Sequence, residues 1–141
     1  MIAQGLTTVF KQNCLLGVEN FGVGTPYTYK LALYTAVAAL DNTTTTYTTD
    51  NEVSGTGYTA GGAVLTVIPP VADTAANVAY LSFQPVSWSP ASFTCRGGLI
   101  YNSTTGAAVA VLDFGADKSP TATFTVTFPT AAADSAVIRF T

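Results

Sequence analysis

Residues Thr121 to Phe128 read TATFTVTF, a strict alternation of hydroxyl side chains with small or apolar ones. Only an extended backbone sends successive side chains to opposite faces. The segment is therefore a strand, with Ala122, Phe124, Val126 and Phe128 inward and Thr121, Thr123, Thr125 and Thr127 outward. Looser versions of the pattern recur along the chain. In YTYKLALYTAV, Tyr27, Tyr29, Leu31 and Leu33 share one side, and Thr28, Lys30 and Ala32 the other. AVLTVIPPV reads as a strand stopped by Pro69 and Pro70. ANVAYLSFQPVSW reads as a single strand reaching Trp88. In SFTCRGGLIYN, Gly97 and Gly98 imply a bulge or a close backbone approach. AAVAVLDF is apolar on both faces, as a central strand is. SAVIRFT supplies a last strand.

One segment has helical spacing. Between Gln4 and Leu16, the residues Leu6, Val9, Phe10 and Cys14 fall on a helical repeat, and Gly17 is placed to end it. This helix either plugs the end of its own domain or docks on a neighbour. Gly22, Gly24 and Pro26 then break the chain. Leu40 to Asp50 is threonine-rich with little to bury, so it reads as a long surface loop or edge segment. About seven strands at roughly 8–12-residue spacing after one helix are the pattern of a β-sandwich or barrel. The expected fold is all-β, a sandwich or jelly-roll-like barrel with one N-terminal helix. It forms a single domain over 1–141, with a helical arm at 1–21 and the sandwich at 27–141. There is no long repeat and no linker.

Charge is the next constraint. The chain has 141 residues but only five basic and eight acidic ones, 9% in all, whereas a soluble domain carries about 25%. A surface built from Thr, Ser, Asn, Gly and Ala is poorly defended against association and suits a protein covered by fixed neighbours. The alternative is a secreted or robust β-domain. Lys11, Lys30, Arg96, Lys118 and Arg139 are scattered, which disfavours nucleic acid as a partner. No apolar run is long enough to span a membrane, and no basic amphipathic helix marks a membrane surface. The N-terminal residues do not read as a signal peptide, so the expected site of synthesis is a cytoplasm. Cys14 and Cys95 fit no metal spacing and are expected as buried reduced thiols, with a disulfide as the alternative. Asn42 and Asn102 lie in Asn-x-Ser/Thr sequons that carry no weight without a secretion signal.

Several motifs invite a catalytic reading. NEVSGTGYTAGG, Asn51 to Gly62, looks like a phosphate-binding loop. It has no Lys for the β/γ-phosphates, and it leads into the alternating strand at Ala63 rather than into a helix. Turns and a bulge that need positive φ explain its glycines better. Asp113-Phe114-Gly115 matches a kinase magnesium motif without the other kinase parts. It reads as a turn with a local ion pair involving Asp117 and Lys118. The chain contains no histidine, which removes Ser-His-Asp and Cys-His nucleophile systems. The acids fall mostly in loops, and Asp50 with Glu52 lacks calcium-loop spacing. No catalytic residue, cofactor or metal is expected. Arg96, inside an apolar strand, needs a carboxylate such as Asp113 or Glu52, unless it faces solvent or a neighbouring subunit.

Taken in order, the segments FKQNCLLGVENF, YKLALYTA, NEVSGTGYTAGGAVLT, Trp88 before RGGLIYN, and AVLDFGADKS before FTVTF resemble a family of small tailed-bacteriophage virion proteins. The resemblance covers most of the chain and is most specific at Asn51–Gly62. It implies a structural role in the virion. The expectation is a capsid cement or decoration protein that is assembled in the host cytoplasm and bound to the outside of the icosahedral shell. Its partners are then the major capsid protein and itself, as a dimer in preference to a trimer. The candidate contact residues are Phe10 and Leu15 on the helix, Thr43, Thr44 and Tyr47 in the threonine-rich loop, Tyr58 in the glycine segment, and Arg96. A tail, neck or fibre-attachment component is the alternative. A further one is a carbohydrate-binding module that stacks sugars on Trp88, Tyr47 and Tyr58.

Overall fold

A computed structural model describes all residues from Met1 to Thr141. Strand β1 (Gly5–Leu6) leads into helix α1 (Thr8–Leu16). Then come β2 (Tyr29–Tyr34), β3 (Ala63–Val64), β4 (Val67–Asp73), β5 (Val78–Phe83) and β6 (Val86–Trp88), followed by β7 (Cys95–Asn102), β8 (Ala108–Lys118), β9 (Phe124–Val126) and β10 (Ile138–Phe140). They form a five-stranded sheet in the order β1-β8-β7-β2-β3, a three-stranded sheet β10-β5-β4 and the pair β6-β9, with antiparallel pairing throughout. The architecture is an all-β sandwich with one N-terminal helix, as the alternation predicts.

The strand that most clearly organises the core is β2. Tyr29, Leu31 and Leu33 enter the main cluster between the sheets, with Phe83, Trp88, Phe93 and Ile100. Ala32 and Tyr34 are equally buried on the opposite face, in a second cluster with Ile2, Leu40, Leu99 and Tyr101. The five-stranded sheet is thus covered on both sides. The threonine-rich segment contributes to the second cover. Leu40 is buried, and the Tyr47 ring stacks on Tyr101 at 4.6 Å between centroids. The glycines of β7 permit close approach, as expected: a Cβ on Gly98 would meet the Leu31 side chain at 2.8 Å and the Ala32 oxygen at 3.0 Å.

Several sequence expectations are corrected. The helix begins at Thr8, not Gln4, because Gly5 and Leu6 pair with Val111 and Ala110 of β8. Pro69 and Pro70 do not stop their strand. They lie inside β4 where its register with β5 shifts, on a sheet edge that does not require their missing N–H groups. The predicted single strand ending at Trp88 is split at Gln84-Pro85 into β5 and β6. In the alternating segment only Phe124–Val126 is laddered, and Ala122 is exposed although it shares the inward parity. Ten strands replace about seven, mainly because the pairing of two-residue segments such as β1 and β3 leaves no periodic signal.

Candidate functional site

Thr7 caps α1: its Oγ1 accepts from the Phe10 N–H at 3.2 Å and donates to the Ala108 carbonyl at 3.0 Å. This fixes the helix on β8. The helix buries only Phe10, whose ring lies 6.0 Å from Phe21 and 6.2 Å from Phe140. Gly17, at φ 71°, ends the helix in the left-handed region, and the Val18 N–H donates to the Asn13 carbonyl at 3.0 Å. Phe10 and Leu15 do not form one contact face. Five residues of helix separate them by about 140° of rotation, so burying Phe10 turns Leu15 out. Leu15 is 90% exposed and Leu16 66%. Val18, Val23 and Phe140 are also exposed. Two hollows adjoin Phe140. One of about 420 Å³ is walled by Phe10, Phe21, Leu81 and Phe140; one of about 480 Å³ lies among Lys11, Leu15, Arg139 and Phe140.

The glycine segment is a packed turn wrapped around a carboxylate. Glu52 accepts from the Tyr47 hydroxyl at 2.6 Å, the Tyr58 hydroxyl at 2.6 Å and the Gly61 N–H at 2.7 Å. Tyr58 also accepts from the Leu33 N–H at 2.9 Å, so it ties the segment to β2. Gly57 (φ 85°) and Gly62 (φ 78°) lie against backbone, where a Cβ would overlap the carbonyl oxygens of Pro90 and Leu31 respectively. Positive φ and backbone proximity account for both glycines. Burial, followed by the bond to Glu52, pushes the Tyr58 and Tyr47 phenols well above their ordinary values. Burial and the Glu19 carboxylate do the same to Tyr29, whose hydroxyl donates to Glu19 at 2.7 Å.

The structure disperses the remaining sequence candidates. Thr43 is exposed and Thr44 half-buried, and both serve a local turn. The Asp41 Oδ1 accepts from the Thr43 hydroxyl at 2.6 Å and its N–H at 2.7 Å, bonds that hold the Asp41 carboxyl below its usual range. Tyr47 and Tyr58 are half-buried with their hydroxyls committed to Glu52, and Trp88 is buried, so these rings are not an exposed stacking platform. Arg96 resolves in favour of Asp113: Nε lies 3.2 Å from Oδ1, both side chains are about one-third exposed, and this is the one ion pair in the molecule. Asp113 also accepts from the Gly115 N–H at 2.9 Å. That bond and Arg96 hold its carboxyl below the usual carboxylate range. The turn expected here is not formed: Asp113 to Lys118 lie within β8, where its register with β7 shifts, and the cation is Arg96 rather than Lys118. Cys14 and Cys95 are free; Cys14 is only half-buried, while burial pushes the Cys95 thiol up to about 12. Asn102 is fully buried, unlike Asn42.

The sequence named Leu15 but not the other exposed apolar residues Leu16, Val18, Val23 and Phe140. The signal was present in two leucines at the helix end on the side away from Phe10. Compared with family models, curated proteins and solved structures, the chain matches none.

Proposed function

We propose that this chain is a bacteriophage capsid cement protein that binds the outside of an icosahedral shell and clamps neighbouring major capsid subunits. The observation that carries the proposal is the exposure of Leu15 and Phe140 around one hollow, with Leu16 and Val18 following Leu15 in the chain, on a protein with little charge. Clustered exposed apolar residues favour a protein contact. A surface with few charges loses little hydration when covered. The resemblance of its ordered segments to small tailed-phage virion proteins supplies the particle. Weak contacts of this kind become effective when many copies bind a symmetric lattice and each copy touches more than one subunit.

The test is the number of copies per purified virion, measured by quantitative mass spectrometry against the major shell protein. A ratio near one, or copies in the hundreds, supports cementing. A few to a few tens of copies moves the chain to the tail, neck or fibre attachment. Absence from the particle overturns the structural assignment.

A further inference from the structure

Trp88 is the chain's only tryptophan, and it is buried. Indole gives up one electron more readily than any other neutral aromatic side chain, so it is the ring that a one-electron oxidant strikes. Two rings lie beside it: Phe124, with centroids 5.9 Å apart, and Tyr58, at 6.2 Å. A phenylalanine ring does not yield an electron to an oxidised indole. A phenol does, provided that its proton leaves with the electron. Tyr58 has a place for that proton. Its hydroxyl donates to Glu52 Oε1 at 2.6 Å, within the reach a general base requires and at the length of a charge-assisted bond. Burial and that bond keep the phenol protonated at rest. Glu52 is held in place by the Gly61 N–H at 2.7 Å and by the Tyr47 hydroxyl, which donates to its Oε2 at 2.6 Å. The Leu33 N–H donates to the Tyr58 oxygen at 2.9 Å, so that oxygen keeps a donor after losing its own proton.

We propose that Trp88, Tyr58 and Glu52 form a relay that moves an electron vacancy from the core indole to a phenol, and so spares the tryptophan from irreversible oxidation. An oxidising radical takes one electron from the Trp88 indole and is itself reduced. Tyr58 then gives an electron to the indole radical cation while its phenolic proton crosses to Glu52 Oε1. The products are a neutral indole, a neutral tyrosyl radical and a protonated Glu52, so the transfer leaves the total charge unchanged. No charge is stranded in the core, where it would be costly. Tyr58 is half-buried. A thiol in solution returns the electron and becomes a thiyl radical with loss of its proton, and Glu52 returns the proton to Tyr58. This activity is independent of the cement reading.

The experiment is pulse radiolysis of the full chain with azidyl radicals, which oxidise indole in preference to neutral phenol. The indolyl and tyrosyl absorbances are followed together. In the parent, the indolyl signal should decay as the tyrosyl signal rises, at a first-order rate independent of protein concentration. The same transfer should be slower in heavy water, a comparison that tests the proton step with no change of sequence. Tyr58→Phe should abolish the coupled rise and leave the indolyl radical long-lived. Glu52→Gln should slow the transfer by about a hundredfold, the lower end of what a positioned base contributes. Tyr80→Phe alters a phenol outside the Glu52 arrangement and should behave as the parent does. Each variant is first shown to unfold cooperatively. After repeated radical exposure with thiol present, mass spectrometry should find more oxidised Trp88 in Tyr58→Phe than in the parent. An undiminished coupled rise in Tyr58→Phe overturns the relay. A rate indifferent both to heavy water and to Glu52→Gln overturns the role of the carboxylate. Absence of an indolyl signal from both the parent and Tyr58→Phe overturns Trp88 as the point of entry.

Discussion

Gly57→Ala and Gly106→Ala form a controlled pair. The two glycines have almost the same backbone conformation, φ 85° and 84°, but Gly106 has open space where its Cβ would go and Gly57 has the Pro90 carbonyl. The conformational cost is therefore common to both, about 1–2 kcal/mol for an alanine in the left-handed region. At Gly106 that is the whole effect. At Gly57 the obstruction is backbone, which cannot rotate away, so the turn must lift. Lifting it breaks the Ser92 N–H to Thr56 carbonyl bond of 3.0 Å and draws Tyr58 away from Glu52 and from the Leu33 N–H. Two neutral bonds at about 1 kcal/mol and one charge-assisted bond at about 1.5–3 kcal/mol give a further loss of roughly 3–5 kcal/mol. For a chain of this length, about 3 °C of melting temperature accompanies each kcal/mol. Thermal unfolding followed by circular dichroism should show Gly106→Ala lower by about 3–6 °C and Gly57→Ala lower by well over 10 °C. Equal shifts would refute the claim that the glycine segment is seated on Pro90.

Glu52→Ala should cost about 3 kcal/mol in urea unfolding, because two phenols and one N–H lose their acceptor; Glu52→Gln, which keeps one amide oxygen in place, should cost about 1 kcal/mol. Phe10→Ala should cost about 3–5 kcal/mol, while Leu15→Ser stays within about 0.5 kcal/mol, since one side chain is buried and the other exposed. Alkaline titration should unfold the protein cooperatively. Tyr29, Tyr34, Tyr47, Tyr58 and Tyr101 all have folded values raised above the ordinary 10.0, chiefly by burial. The folded state then holds more protons than the unfolded chain, so their contribution is complete below pH 10 and falls as pH rises beyond it. Tyrosinate absorbance should appear together with loss of the circular dichroism signal; ionisation of these tyrosines in a protein that stays folded just above pH 10 would contradict the burial argument.

What the sequence reveals depends on how local the cause is. The alternation in β2 and around Phe124 is written into neighbouring residues, and both strands lie within the segments it marks, although β9 keeps only Phe124–Val126. The start of α1 is not, because Gly5 and Leu6 are strand only by virtue of β8, more than a hundred residues away. Nor is the tolerance of Pro69 and Pro70, which follows from β4 having a partner on one side alone. The Glu52 arrangement is the clearest case. In the sequence Glu52 is a loop acid and a candidate partner for Arg96. The groups that engage it come from the threonine-rich loop and the glycine segment, and Tyr58 reaches on to β2, so only the folded chain assembles them. Of the candidate surface, Leu15 was legible from helical geometry. Phe140 was not, since a residue near the end of a short alternating strand gives no sign of facing the helix.

The same inward use of acids changes what the net charge means. The formal −3 counts Glu19 and Glu52, whose oxygens are held by Tyr29, Asn102 and Asn13 in one case and by Tyr47, Tyr58 and Gly61 in the other. Asp113 is likewise engaged by Arg96. Lys11 and Arg139 have no such partners and lie exposed beside Leu15 and Phe140. The outside is therefore more nearly balanced than the sequence suggests. Long-range steering by the whole molecule is correspondingly weak, so binding strength rests on short-range burial of the apolar residues, with salt acting through the two cations. A contact built this way should keep part of its affinity at high salt and lose it when Leu15 and Phe140 are made polar together. The opposite order, full loss with salt and indifference to the apolar pair, would place the contact on some other surface.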